Sequence, residues 1–172
     1  MKTLMLTLVA CAVLVFAGCG DDDSSSDSTA TDSAGAGSSS PLETSDDAST
    51  RGKPKVVLPR GAAPKKLEEI DTIEGTGAEA KFGDKVTVNY VGVGMESGKE
   101  FDASWNRNEP FPFTLGAGEV ILGWDQGIVG MKVGGQRELI IPAELAYGEE
   151  GRPPAIGPNE PLVFVVDLLE VG

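Results

Sequence analysis

Leu162-Val163-Phe164-Val165-Val166-Asp167-Leu168-Leu169 is apolar at every position but Asp167. A strand that is apolar on both faces must be covered on both faces, so this stretch belongs at the centre of a sheet. Its neighbours can be read outward from it. Val86-Thr87-Val88-Asn89-Tyr90-Val91 alternates, which puts Val86, Val88 and Tyr90 on one face of a second strand. Arg137-Glu138-Leu139-Ile140-Ile141 reads as a third, stopped by Pro142. Residues 65–73, 98–103 and 111–115 give weaker strand patterns. A single helical stripe lies between them: Ile121, Trp124, Ile128 and Met131 fall on one face over 121–131. Gly123, Gly127 and Gly130 make that helix weak alone, so it needs a sheet to lie on. The expected fold is α+β, an antiparallel twisted β-sheet wrapped around one short α-helix. Glu149 to Pro161 (EEGRPPAIGPNEP) contains four prolines and reads as a stiff surface loop.

Charge and composition narrow the function. The chain has 172 residues, 40% of them apolar, and a net charge of -13. No cluster of Lys and Arg offers a phosphate backbone a footing, so nucleic acid is not an expected partner. Histidine is absent. That excludes His-containing zinc sites, Ser-His-Asp and Cys-His nucleophiles and a His-ligated haem. No metal or cofactor is expected. Both cysteines, Cys11 and Cys19, precede the folded part.

Lys2 is followed by an apolar run from Leu4 to Ala17, broken only by Thr7. A membrane-spanning helix needs about 20 apolar residues, so this run fits the core of a secretory signal instead. It ends Phe16-Ala17-Gly18-Cys19. This resembles a bacterial lipobox, although Phe16 stands where Leu, Val or Ile is usual. The resemblance implies removal of residues 1–18 and diacylglycerol on Cys19, hence export and anchoring to the outer face of the bacterial cell membrane. Two acyl chains suffice for stable anchoring. Residues 20–50 hold eight acids and no base among Ser, Ala, Gly and Thr. Such a segment cannot bury enough surface to offset its ordering entropy. The expected organisation is a signal peptide over 1–18, a flexible acidic tether over 19–64 and one folded domain over 65–172.

Five blocks in order carry a family likeness: VTVNYVG (86–92), GKEFDASWNRNEPFPFTLG (98–116), GEVILGWDQGIVGMKVGG (118–135), RELIIPAELAYG (137–148) and PLVFVVDLLEV (161–171). Over about 105 residues the chain resembles the FK506-binding protein (FKBP) family of peptidyl-prolyl cis/trans isomerases. The resemblance implies an apolar pocket between sheet and helix. Trp124 would form its floor and Tyr90, Phe101, Phe111 and Phe164 its walls, with Val120, Ile121 and Ile156 closing the rest. It implies an acid, Asp102, facing the pocket, and a phenol, Tyr147, offered to a substrate carbonyl. It further implies proline-containing polypeptides as substrates and FK506-like macrolides as ligands. Arg152 departs from the pattern, since well-known members carry histidine there. The reaction needs no nucleophile or metal, so a chain without histidine can perform it.

Each of these residues also has a plainer reading. A lone Trp or Phe is more often core than site. Asp102 alone is a surface acid, or half of an ion pair with Arg107 or Lys99. Tyr147 alone is a structural hydrogen-bond donor. Three rival functions follow from other features. The first is a non-catalytic FKBP-like module that holds peptides as a chaperone, against which the intact aromatic set argues. The second is a hydrolase using Glu149 and Glu150, but adjacent loop acids are usually only solvated. The third comes from Gly75-Thr76-Gly77-Ala78-Glu79-Ala80, which fits a dinucleotide fingerprint. That motif must open a helix, and Gly83-Asp84 makes a turn the better reading.

Overall fold

The computed structural model describes residues 47–172; the expected signal peptide, Cys19 and the expected tether up to residue 46 lie outside the described residues. Six strands and one helix follow in the order β1 (Glu68–Ile73), β2 (Lys85–Gly94), β3 (Glu100–Ala103), β4 (Phe111–Thr114), α1 (Leu122–Gly127), β5 (Gln136–Ile141) and β6 (Leu162–Val171). All form one antiparallel sheet in the order β1-β5-β6-β2-β3, with β4 also pairing β2. The LVFVVDLL stretch is thus a central strand, as its two apolar faces require. β3 and β4 share the outer edge of β2, β4 against Lys85–Val88 and β3 against Val91–Val93. β1 closes the other edge with the acids Glu68, Glu69 and Asp71, which discourage further strand pairing.

The helix is shorter than its apolar stripe. It spans six residues, because Gly127 and Gly130 remove propensity where a longer helix would continue. Trp124, Ile128 and Met131 are nonetheless buried, while Ile121 is half-buried just before the first turn. Two glycines let α1 lie close on β5. A Cβ on Gly123 would stand 2.4 Å from the Ile141 side chain, and one on Gly127 would stand 2.7 Å from Leu139. Arg137 fixes the helix end. Its Nη1 donates to the carbonyl of Gly127 at 2.8 Å, while its Nε and Nη2 grip Asp71 of β1 at 2.6 and 2.9 Å. The main core fills the space between helix and sheet, from Val86, Val88 and Tyr90 of β2 to Phe164, Val166 and Leu168 of β6.

The opposite face of the sheet is covered by a strap. The tether read from the sequence runs to residue 64, yet residues 47–58 make defined contacts with the sheet. Ala48 is buried in a 3-10 turn, and Val56 and Leu58 pack on Val91, Val93 and Ala103. Arg51 donates to Asp167 of β6 at 2.7 Å and to the carbonyl of Gly134 at 2.6 Å, and its own carbonyl accepts from Trp105 Nε1. The reason is Asp167. A carboxylate in the middle of a central strand needs a cation, and the strap delivers one.

The Gly75–Ala80 segment opens no helix. It runs beside residues 130–133: the amides of Gly77 and Ala80 donate to the carbonyls of Val133 and Met131, and the amides of Val133 and Gly130 donate to the carbonyls of Ala78 and Ala80. Gly75 is required by this close approach, since a Cβ there would lie 2.2 Å from the carbonyl oxygen of Lys132.

Candidate functional site

β2 and β6 supply the inner wall of a hollow. Their register places Gly92 opposite Phe164 and Tyr90 opposite Val166. Gly92 carries the geometry: a Cβ there would fall 2.6 Å from the Phe164 ring and 2.7 Å from the Phe101 ring. Its absence lets those two rings meet edge to face at 5.5 Å. The first residues of α1 then bring Trp124 down against Tyr90 and Phe164. Its indole lies 5.0 Å from Tyr90 and 5.2 Å from Phe164, both edge to face, and 6.3 Å from Phe111. Such contacts fix ring orientation as well as add stability. Trp124 is 4% exposed, and its Nε1–H finds no acceptor among the described residues. It acts as an apolar surface.

These rings bound an open hollow of about 250 Å³. Nine of the ten sequence-designated pocket residues line it: Tyr90, Phe101, Asp102, Phe111, Val120, Ile121, Trp124, Tyr147 and Phe164. Ile156 is the exception. It is buried at 2% exposure and borders an adjoining hollow, where it meets Phe101, Tyr147 and the loop residues 152–155. Two residues join the lining that the sequence reading did not put there. One is Arg152, the position where the sequence departs from the family pattern. The other is Glu119, whose Oε2 accepts from the Thr114 amide at 2.9 Å; only its place beside Val120 hinted at it. Glu149 and Glu150 are exposed and line neither hollow. A smaller hollow at the β1–β5 edge is lined by Asp71, Glu74, Lys132 and Arg137 and holds no aromatic ring.

One polar cluster borders the aromatic hollow. Tyr90 donates its hydroxyl to Asp102 Oδ2 at 2.5 Å, Arg107 bonds Asp102 Oδ1, and Arg107 Nη2 donates to the Tyr90 oxygen at 2.8 Å. Of the two cations offered by the sequence, Arg107 is therefore the partner of Asp102. Burial alone would raise the Asp102 pKa, but the bonds from Tyr90 and Arg107 outweigh it and hold the carboxyl below its ordinary range. Burial, and then the bond to Asp102, push the Tyr90 phenol upward. Both shifts lead away from neutrality, so near pH 7 the acid is charged and the phenol neutral. Asp102 has its charge committed to two donors and is poorly placed to give or take a proton. Tyr147 differs. Its hydroxyl has no protein partner among the described residues, and its ring lines the hollow. The Pro-rich loop beside it is held by Glu160, which accepts from the amides of Gly157 at 2.8 Å and Ser97 at 3.1 Å.

The arrangement can enclose a compact apolar ring while one free hydroxyl waits at its edge. Several known proteins are close to this chain in sequence. The profile of the FKBP-type peptidyl-prolyl cis-trans isomerase family matches residues 77–169. An FK506-binding protein of Streptomyces anulatus is 57% identical over 120 residues, covering 69% of this chain and 97% of that protein. A probable FK506-binding protein of Corynebacterium glutamicum is 50% identical over 117 residues, 68% of this chain and 97% of its own length. Peptidyl-prolyl cis-trans isomerase FPR2 of Saccharomyces cerevisiae is 52% identical over 99 residues, 58% of this chain and 73% of that one. The crystal structure of AtFKBP13 superposes with a TM-score of 0.59 at 40% identity, over 64% of this chain and 96% of that one. Fold and sequence thus agree, and the chain belongs to the FKBP-type peptidyl-prolyl cis-trans isomerase family.

Proposed function

We propose that this protein rotates X-Pro peptide bonds of exported polypeptides at the cell envelope, held there by a lipid on Cys19. The observation that carries the catalytic half is the convergence of Tyr90, Phe101, Phe111, Phe164 and Trp124 on one open hollow. A planar peptide bond owes its barrier of about 18–20 kcal/mol to resonance, which places partial charge on oxygen and nitrogen. Rotation through 90° abolishes that resonance and much of the dipole. Water favours the polar planar form; a ring-lined hollow withdraws that advantage and lowers the relative energy of the twisted form. X-Pro bonds suit such a site because both isomers are populated and exchange takes tens of seconds or longer. In this reading the prolyl ring sits on Trp124 against Tyr90, Phe111 and Phe164, with Val120 and Ile121 beside it. Phe101 and Ile156 flank the residue next to it. Asp102 holds Tyr90 in place, and Tyr147 donates to a substrate carbonyl. The same hollow is proposed to accept FK506-like macrolides, as the name of the Streptomyces relative says of that protein.

The test is the cis/trans relaxation of a Leu-Pro peptide, followed by proline-sensitive proteolysis or NMR exchange. The wild-type chain should accelerate it; no acceleration would end the reading. Tyr147→Phe should slow turnover by less than about tenfold, the worth of one neutral hydrogen bond. A complete loss would show that the phenol does more than donate once.

The location rests on the apolar run and on Phe16-Ala17-Gly18-Cys19. The Streptomyces relative aligns over almost its whole length yet leaves the rest of this chain without a counterpart, as an added leader and tether would. Cys19→Ser should move the protein from the membrane pellet to the soluble fraction of a bacterial host and abolish incorporation of labelled palmitate. Persistence of both in the variant would sink the anchor.

A further inference from the structure

We propose that Arg152 and the hollow beside it form a subsite for a carboxylate side chain on a residue flanking the substrate proline. This rests on the isomerase reading and gives it a substrate preference. A second hollow of about 350 Å³ adjoins the aromatic one, and the two share Phe101, Asp102, Tyr147 and Arg152. A peptide whose proline occupies the first would therefore lay a neighbouring residue in the second. The wall there is the stretch Pro153 to Ile156.

Arg152 lines both hollows, whereas Arg107 reaches them only through Asp102 and Tyr90. Arg107 is committed to Asp102 and Tyr90. Arg152 makes no ion pair and no side-chain hydrogen bond among the described residues; its guanidinium instead lies over the Tyr147 ring, 5.9 Å from the centroid. Such stacking keeps the group at the mouth while leaving its N–H donors open. The backbone under it is fixed. Arg152 N donates to the Ile156 carbonyl at 2.9 Å, and the Arg152 carbonyl accepts from Ala155 and Ile156 at 3.1 and 3.0 Å. Ile156 is buried and pins the turn. Gly151, at φ +63°, sets the turn's entry, and a Cβ there would stand 2.3 Å from the Gly157 carbonyl oxygen. A cation held on a fixed turn loses little freedom when it binds.

No neighbouring acid claims it among the described residues. Asp102 is paired with Arg107, Glu119 keeps its charge but is bonded to the Thr114 amide, and Glu149 and Glu150 are exposed and line neither hollow. A planar guanidinium with open donors matches a carboxylate in a two-point bond. Apolar side chains would still enter, since Pro153, Pro154 and Ala155 offer surface to them.

The test uses the full chain and two peptide series, with Glu or Gln immediately before proline in one and immediately after it in the other. A Leu-Pro peptide serves as the activity reference. At low ionic strength the wild type should prefer Glu over Gln by about two- to fivefold in kcat/KM at one flank, the size of an exposed ion pair. Arg152→Gln should bring that ratio to about one or below, and Arg152→Lys should keep part of it. Ionic strength of about 1 M, where the Debye length is about 3 Å, should erase it. A wild-type ratio at or below one at both flanks, or a ratio that survives Arg152→Gln, overturns the subsite. No acceleration of Leu-Pro by the wild type would instead remove the isomerase reading beneath it.

Discussion

Trp124→Ala should lower kcat/KM for a Leu-Pro peptide by about a hundredfold. A prolyl ring seated on the indole buries roughly 100 Å² of apolar surface, worth about 2.5 kcal/mol, and that alone is a factor of roughly 70. Loss of the floor also frees Tyr90 and Phe164, whose rings touch the indole at 5.0 and 5.2 Å. Admission of water to the hollow then restores part of the advantage of the planar amide. The same truncation should cost about 3–5 kcal/mol of stability, as Trp→Ala does in a packed core. Trp124→Leu separates the two effects. Leucine keeps much of the packing against Phe113 but offers the substrate no flat face. It should remain folded, by circular dichroism and thermal melting, and still lose most activity. A folded Trp124→Leu protein with wild-type turnover would refute the role given to the indole.

The second large effect is expected far from the hollow. Arg51→Ala should destabilise the protein by about 3 kcal/mol, at the lower end of what breaking a buried ion pair costs. Asp167 is fully buried and the Arg51 side chain only 14% exposed. Gln136 Nε2 continues to donate to the carboxylate at 3.1 Å, which limits the loss. The pH dependence gives the test its sign. Burial raises the Asp167 pKa, and the bonds from Arg51 and Gln136 only partly oppose this. A carboxyl raised in the folded state contributes stability below its unfolded pKa and loses it as pH rises through the folded value. Without Arg51 that rise is larger. The deficit of Arg51→Ala relative to wild type should therefore be greatest near neutral pH and shrink as the pH falls toward about 4. Urea melts at several pH values would measure it. A deficit that grows on acidification would show that the ion pair is not its source. A chain shortened to begin at residue 65 should share the defect, because it too lacks Arg51.

Most of the fold was legible because burial writes itself into period and composition. The apolar faces of LVFVVDLL placed β6 at the centre, and the alternation of VTVNYV put Tyr90 on one face with Val86 and Val88. The helix end was less legible: four apolar residues at helical spacing promised eleven residues, and the glycines among them deliver six. In this chain glycine serves closeness, letting α1 lie on β5, and periodicity does not record that. The hollow was legible only through the family likeness, since a ring that lines a pocket and a ring that fills a core have the same chemistry. Gly92, which opens room for Phe101 and Phe164, carried no signal of its own. Ile156 was assigned to the aromatic hollow but borders the next one, a distinction set by the path of the loop rather than by residue type. The strap was the largest surprise. Ser- and Asp-rich composition over 20–50 reads as an unstructured leash, and Arg51 just beyond it is invisible as a clasp until its buried partner is located across more than a hundred positions of sequence. Asp167, the one acid in an otherwise apolar strand, was the clue that such a partner had to exist.

The strap has a directional consequence. Residues 47–58 cross the sheet on the side that faces away from Trp124, so the strap stays behind the working face. A long client can approach the mouth head-on without the strap lying across the doorway. Pulling on the strap at residue 47 would load the buried Ala48 turn and the Arg51 clasp before the aromatic chamber at the front.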